Sequence, residues 1–293
     1  MAEISKLSGV AIADVAKVDA VLKANIANIN LLTIPSAAAF LLDTYTGAAA
    51  GYSVRRIASG ATNLMRIRED SGDTETDIGY DANGDLDTAA IASHCGTANG
   101  FIVSWVDQSG NGNDADQSTN ANQPKIYDGT AVTTLNSKPV IESASGAYLQ
   151  SAYDGNVVFF SVSQAVDGSL FGHYDLTSGG TSNNNGWFFV AEDGNTSSIW
   201  APDITANSAR KNGTSYTLAG VNRNNIYDDF NAQHLLYLSL DTASQNLNLG
   251  YRLDPSSYPM FNMQELIVYP DTTTHTPSDI ETNINTYFSI FTP

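Results

Sequence analysis

A single cysteine, Cys95, stands in a chain of 293 residues, so no intrachain disulfide can form. The disulfide framework common in secreted β-rich enzymes is therefore excluded. Basic residues are scarce as well: 13 Lys and Arg stand against 31 Asp and Glu, for a formal net charge of −18. Such a surface repels phosphate backbones, and no nucleic-acid partner is expected. Charged residues make up 15% of the chain, below the ~25% usual in soluble domains. Asn, Thr, Ser and Gln must carry the polar surface. No apolar run reaches the ~18 residues of a membrane span, and the start, MAEISKLSGV, has neither the basic head nor the apolar core of a signal peptide. Both absences predict a chain made in a cytoplasm and not inserted in a membrane. Motif-level absences complete the picture. There is no Gly-x-Ser-x-Gly, no phosphate-cradling loop and no Cys-x-x-Cys, and His94, His173, His234 and His275 are scattered without metal-ligand spacing.

What is present begins with a terminal repeat. Ile4, Leu7 and Val10, then Val15, Val18 and Val21, then Ile26, Ile29 and Leu32 form three apolar triplets, each offset from the last by eleven residues. An eleven-residue period on a helix gives a nearly straight apolar stripe. The Ala-rich filling favours helix, while the β-branched content leaves an extended arm open. Residues 1–35 are therefore expected to form an assembly arm, and residues 36–293 a separate body. The arm would bury its stripe against sister chains or a larger scaffold, with a trimer as the expected homo-oligomer; the alternative is an amphipathic helix folded back on its own body.

A short helix is expected at 36–42. Candidate strands then follow quickly, at 52–58, 64–68, 100–106, 131–135, 157–165, 187–191, 215–219, 234–241, 247–252 and 260–269. Alternation in 234–240 and 246–251 predicts one buried and one polar face. Strands separated by Gly, Asn and Ser turns, with little helix, predict a mainly β antiparallel sandwich. A closing helix carries Thr276 as its cap, Pro277 in its first turn, Asp279 at the dipole's positive end, and a stripe of Ile280, Ile284, Tyr287 and Phe288.

The stretch 100–116 is the most informative. Phe101-Ile102-Val103-Ser104-Trp105-Val106 reads as a buried strand. Asp107-Gln108-Ser109-Gly110-Asn111-Gly112-Asn113-Asp114 is turn chemistry throughout. This polar loop is either a site or a structural corner, and the corner is the expected role. Asp81, Asn83, Asp85 and Asp87 offer oxygen atoms on alternate residues, as a Ca²⁺ loop would. Leu86 and Ala92 break the EF-hand pattern, and a capped turn is the preferred reading; no other cofactor is expected. Trp187 and Trp200, with Tyr216 and Tyr227, are candidate stacking surfaces for sugar rings, although core packing is the commoner fate of a lone Trp. Cys95 reads as an inert packed thiol.

The strings Tyr52-Ser53-Val54-Arg55-Arg56, Met65-Arg66-Ile67-Arg68, the run 77–87, Trp105–Asp114 and Asn262–Tyr269 together resemble a domain of bacteriophage virion and tail-associated proteins. More distantly they resemble the catalytic domain of α-L-arabinofuranosidase B. The resemblance covers about residues 36–291 and implies a concanavalin-like (laminin-G-like) jelly-roll sandwich. In the arabinofuranosidase family a Glu nucleophile and an Asp acid/base carry catalysis. Asp254, in the run Gly250-Tyr251-Arg252-Leu253-Asp254, matches the acid/base position. The segment matching the nucleophile loop, 171–177, holds no Glu, with Asp175 or Glu192 as possible substitutes, and the family's paired cysteines near the nucleophile are missing. The expectation is accordingly a virion structural protein rather than an enzyme: a tail fibre, spike or capsid-decorating subunit, located on the virion and anchored to other virion proteins by its arm. The alternatives are a glycan-binding adhesin for a host-surface glycan, with Trp187, Trp200, Tyr216 and Asp254 facing the sugar, and an arabinofuranosidase-like hydrolase.

Overall fold

Strand β1 (Ala50–Ser53) opens the body after a one-turn helix α1 (Leu41–Thr44). The chain is seen here in a computed structural model that describes residues 40–144, 146–154, 158–166, 174–175, 187–188, 205–216, 232–241, 246–249, 261–270 and 275–292. The arm stripe Ile4 to Leu32 lies outside the described residues. After β1 come β2 (Met65–Glu69), β3 (Glu75–Ile78), helix α2 (Thr88–Cys95), β4 (Asn99–Trp105), β5 (Ala115–Asp116) and β6 (Lys125–Asp128). The hairpin β7 (Thr134–Leu135) and β8 (Lys138–Pro139) follows, then β9 (Ile141–Ser143), β10 (Leu149–Asp154) and β11 (Val158–Ala165). The last strands are β12 (Tyr174–Asp175), β13 (Trp187–Phe188), β14 (Thr205–Lys211), β15 (Thr214–Tyr216), β16 (His234–Asp241), β17 (Asn246–Leu249) and β18 (Phe261–Tyr269). Helix α3 (Pro277–Phe288) closes the chain.

The fold is mainly β and antiparallel, as the turn-punctuated sequence predicts. β18 is its hinge line. One edge of β18 pairs with β11 from Val158↔Tyr269 to Ala165↔Phe261. Its other edge is divided between β1, from Ala50↔Val268 to Ser53↔Glu265, and β9, from Phe261↔Ser143 to Met263↔Ile141. Outward from β11 run β16, β14 and β15; outward from β9 run β6, β4, β5, β10 and β17. A strand that shares one edge between two partners is how a sheet passes from one layer of a sandwich to the other.

The core explains the composition of these strands. Tyr52, Trp105, Phe159 and Leu266 are buried in the sandwich, and Trp105 Nε1 donates to Ser53 O at 3.3 Å. β16 departs from its expected half-polar character: His234 to Tyr237 and Leu238 are all buried. Helix α3 packs on the strand's outer side, so both faces are covered and alternation loses its meaning. α3 itself buries Ile280, Ile284 and Phe288 as the stripe requires. Thr276 sits at the cap position but makes no side-chain capping bond, leaving Pro277 and Asp279 as the N-terminal signals. The expected strand at 131–135 shrinks to Thr134–Leu135, because Asn136 and Ser137 turn the chain back with φ of 50° and 61°. The expected 52–58 strand stops at Ser53; beyond it, Val54 N still reaches Gln264 O of β18, while Arg56 N and Ile57 N turn to Gly84 O and the Gln108 side chain. Helix α1 begins later than the expected 36–42, whose first residues lie outside the described ones. No helix among the described residues is long and apolar enough to cross a membrane.

Buried charge ties α3 to this frame. Glu265, fully buried, accepts from Arg55 Nε at 2.8 Å, from Arg55 Nη2 at 3.1 Å and from Ser53 Oγ at 2.6 Å. Arg55 reaches on to Asn283 Oδ1 at 3.2 Å and lies 4.8 Å from the Tyr287 ring centroid. Removing the cation alone strands a carboxylate in the core. Arg55→Ala is expected to lower the unfolding free energy by about 3 kcal/mol in a denaturant titration, with Glu265→Gln added to it restoring part of the loss.

A second carboxylate sets an acid limit. Glu69 closes the 69–74 turn by accepting from Ser71 N and Oγ, Gly72 N, and Thr74 N and Oγ1. The Ser71 hydroxyl first, and the turn amides with it, hold its pKa near about 2 against an ordinary 4.5. A group whose folded pKa is depressed stabilises the fold above its unfolded value, and that contribution disappears as pH falls from 4.5 towards 2. Glu69→Gln is expected to flatten this part of the stability-against-pH curve; an unchanged slope would contradict the assignment.

Candidate functional site

The 107–114 loop is a corner whose side chains point inward. Asp107 is its centre, 6% exposed. Its Oδ1 accepts from Gly51 N at 2.8 Å and Ser109 N at 2.8 Å, and its Oδ2 from Ser109 Oγ at 2.8 Å and Asn113 N at 3.1 Å. Gln108 accepts from Ile57 N at 2.8 Å and donates to Arg55 O at 3.0 Å, supplying partners to the segment that leaves β1. Asn111 and Asn113 donate to the carbonyls of Ala48 and Ala49. Gly110 and Gly112 have φ of 85° and 74°, which only glycine adopts without strain.

The corner is braced from β10 as well. The Tyr52 hydroxyl donates to Asn113 O and contacts Ser151 Oγ at 2.7 Å. Burial, with Asp107, Asp114 and Asp116 nearby, pushes that phenol well above its ordinary pKa, so it stays protonated. Asp114 accepts from Asp107 N at 2.8 Å, and desolvation raises its pKa. None of these partners could be found from local sequence: Gly51, Tyr52 and Ser151 lie tens of residues from the loop, and each looks ordinary in its own strand.

The acidic run 81–87 resolves into separate tasks. Asp81 Oδ1 accepts from Asn83 N and Asp85 N at 2.8 and 3.0 Å, and these amides lower its pKa. Asp85 Oδ1 accepts from the Tyr287 hydroxyl at 2.6 Å, with Lys138 Nζ 3.6 Å from Oδ2. Asp87 caps α2 through Ala90 N at 2.9 Å. The four candidate ligands thus face three different neighbours, and among the described residues no group of three or more His, Cys, Asp or Glu converges as a metal site would. Cys95 is buried, and desolvation lifts its thiol to about 11, too high for a nucleophile at neutral pH.

Of the proposed glycan-facing residues, Trp200 and Asp254 lie outside the described residues, as do Tyr227 and Glu192. Tyr216 is half-buried in β15 and packs against the core. Trp187 is in β13, where its register partner on β12 is Asp175. That two-stranded ribbon runs alongside β17. The backbone therefore joins a proposed aromatic with a proposed substitute carboxylate, next to the strand that leads towards Asp254.

No protein-family model matches the chain. No curated protein sequence matches it either. Solved structures do. An arabinofuranosidase complexed with arabinofuranosyl-α-1,2-xylobiose superposes with a TM-score of 0.54 at 16% identity, covering 85% of this chain and 64% of that one. A point mutant of a GH54 α-L-arabinofuranosidase, soaked with 4-nitrophenyl α-L-arabinofuranoside, superposes with a TM-score of 0.52 at 16% identity and the same coverage. The chain thus spans 64% of the length of these structures and shares their β-sandwich. The neighbours are glycoside hydrolases, which overturns the expectation of a virion structural subunit (tail fibre or capsid decoration) without enzymatic activity. They lend no support to the phage origin or the laminin-G variant of the sandwich.

If the 107–114 loop is a corner, its loss is a loss of fold. Asp107→Ala leaves four donors without their acceptor and is expected to cost about 3 kcal/mol of stability in a denaturant titration. A variant as stable as the wild type would show that the loop serves something other than the frame.

Proposed function

We propose that this chain is a glycoside hydrolase acting on α-L-arabinofuranosides. The observation that carries the reading is the common sandwich: 85% of this chain superposes on structures of α-L-arabinofuranosidases. The β12–β13 ribbon supports it further, since Asp175 is cross-strand partner to Trp187 and the ribbon borders β17. Asp254 follows the end of β17, Leu249, by five residues.

In this reading Asp254 is the general acid/base, as its match to the family motif implies, and Asp175 takes the nucleophile's role in place of Glu. Retaining hydrolysis needs the two carboxyls ~5–5.5 Å apart. Asp175 attacks the anomeric carbon while Asp254 gives its proton to the departing glycosidic oxygen. Water, deprotonated by Asp254, then displaces Asp175 and releases arabinose. Trp187 offers an apolar face for the sugar ring.

The test is release of 4-nitrophenol from 4-nitrophenyl α-L-arabinofuranoside. Wild-type protein is expected to turn over, and Asp254→Asn and Asp175→Asn are each expected to lower kcat by about 100-fold or more with little change in KM. Folded wild-type protein that releases no nitrophenol would overturn the proposal.

A further inference from the structure

Six residues on six successive strands stand in one row. Arg68 on β2 is the register partner of Phe101 on β4, Phe101 of Lys125 on β6, Lys125 of Glu142 on β9, Glu142 of Asn262 on β18, and Asn262 of Gln164 on β11. Direct cross-strand partners share a face, so the row crosses a single face of the sheet. With strands ~4.8 Å apart, its five steps span about 24 Å.

This face belongs to the side that α3 covers elsewhere. Val162 and Gln164 lie on one face of β11, and Glu265, partner of Val162, is held by Arg55, which contacts α3. Along the row, by contrast, Phe101, Lys125, Glu142, Asn262 and Gln164 are all partly exposed.

The chemistry of the row is unusual for a chain of net charge −18. Its charges are internally matched: Lys125 Nζ lies 3.2 Å from Glu142 Oε2, and Arg68 is 2.6 Å from Asp73. The Arg68 guanidinium backs the Phe101 ring at 5.2 Å. Asn262 donates to Gln164 Oε1 at 2.9 Å, so two amides are locked edge to edge. The result is a neutral strip with an aromatic face at one end and oriented amide donors and acceptors at the other. A polyanion would be repelled by the protein as a whole, and a polycation would be drawn to its acidic loops. An uncharged polyhydroxylated chain suits the strip.

We infer that this row is a binding track for the backbone of a neutral polysaccharide, holding the polymer whose side branches the enzyme removes. It rests on the hydrolase reading for its substrate class. Asn262 lies one residue inside the start of β18 and Gln164 one inside the end of β11, so the track ends beside the strand termini that lead to the segments holding Asp254 and Asp175.

Affinity electrophoresis in gels containing soluble arabinoxylan reads binding without turnover, and kinetics on 4-nitrophenyl α-L-arabinofuranoside read turnover without the polymer. Phe101→Ala, and separately Lys125→Ala with Glu142→Ala, are expected to weaken retardation about tenfold and raise KM for arabinoxylan about tenfold, leaving kinetics on the small substrate unchanged. The paired variant, changed only at partly exposed positions, decides the matter where Phe101→Ala melts early. Wild-type retardation that the variants do not alter, or no retardation at all, would overturn the track. Retardation lost in the variants without turnover of either substrate would keep the track and remove the hydrolase reading.

Discussion

The Asp107 carboxylate is the constraint on which the rest of the described body depends. It gathers four donors, one from β1 and three from its own loop, at the point where β4 must turn away from the core. Through Gly51 it fixes β1, and β1 fixes one half of the shared edge of β18. The other half belongs to β9. Were β1 free to slip by one residue, Ser53 would exchange faces and Glu265 would lose its hydroxyl donor. Two buried polar networks, one at the corner and one under α3, thus hold the same register from opposite ends.

The body spends its buried acids on structure: Asp107, Glu69 and Glu265 are each satisfied by donors of this chain. Glu281 is the exception. Its Oε2 takes Arg210 Nε at 2.7 Å, while Oε1 is buried without a hydrogen-bond partner among the described residues, and desolvation raises its pKa. The carboxyls proposed for catalysis belong to other stretches of the chain, Asp175 on β12 and Asp254 in the sequence after β17.

Much of this was legible in the sequence, for reasons that differ by element. The 107–114 loop announced itself because a corner built by Asx and Gly chemistry must spell out that chemistry locally. Strands such as 157–165 and 260–269 were readable from their clusters of β-branched and aromatic residues, Val157-Val158-Phe159-Phe160 and Leu266-Ile267-Val268-Tyr269. β3 was not, since Glu75 and Asp77 face solvent, Thr76 is half-buried, and only pairing with β2 makes them a strand. The row from Arg68 to Gln164 was invisible for a deeper reason: register alone assembles it, and no window of sequence contains more than one of its members. The missing Glu and missing cysteines pointed away from the hydrolases whose sandwich this chain shares, because that sandwich is built by the pairing of distant strands and not by any local motif.

Proton NMR of arabinoxylan incubated with the purified protein tests the account most directly, since it detects the sugar released rather than a surrogate. The account predicts resonances of free arabinose that grow with time, with the xylan backbone signals unchanged. A spectrum without free arabinose, from protein shown to be folded, would contradict it.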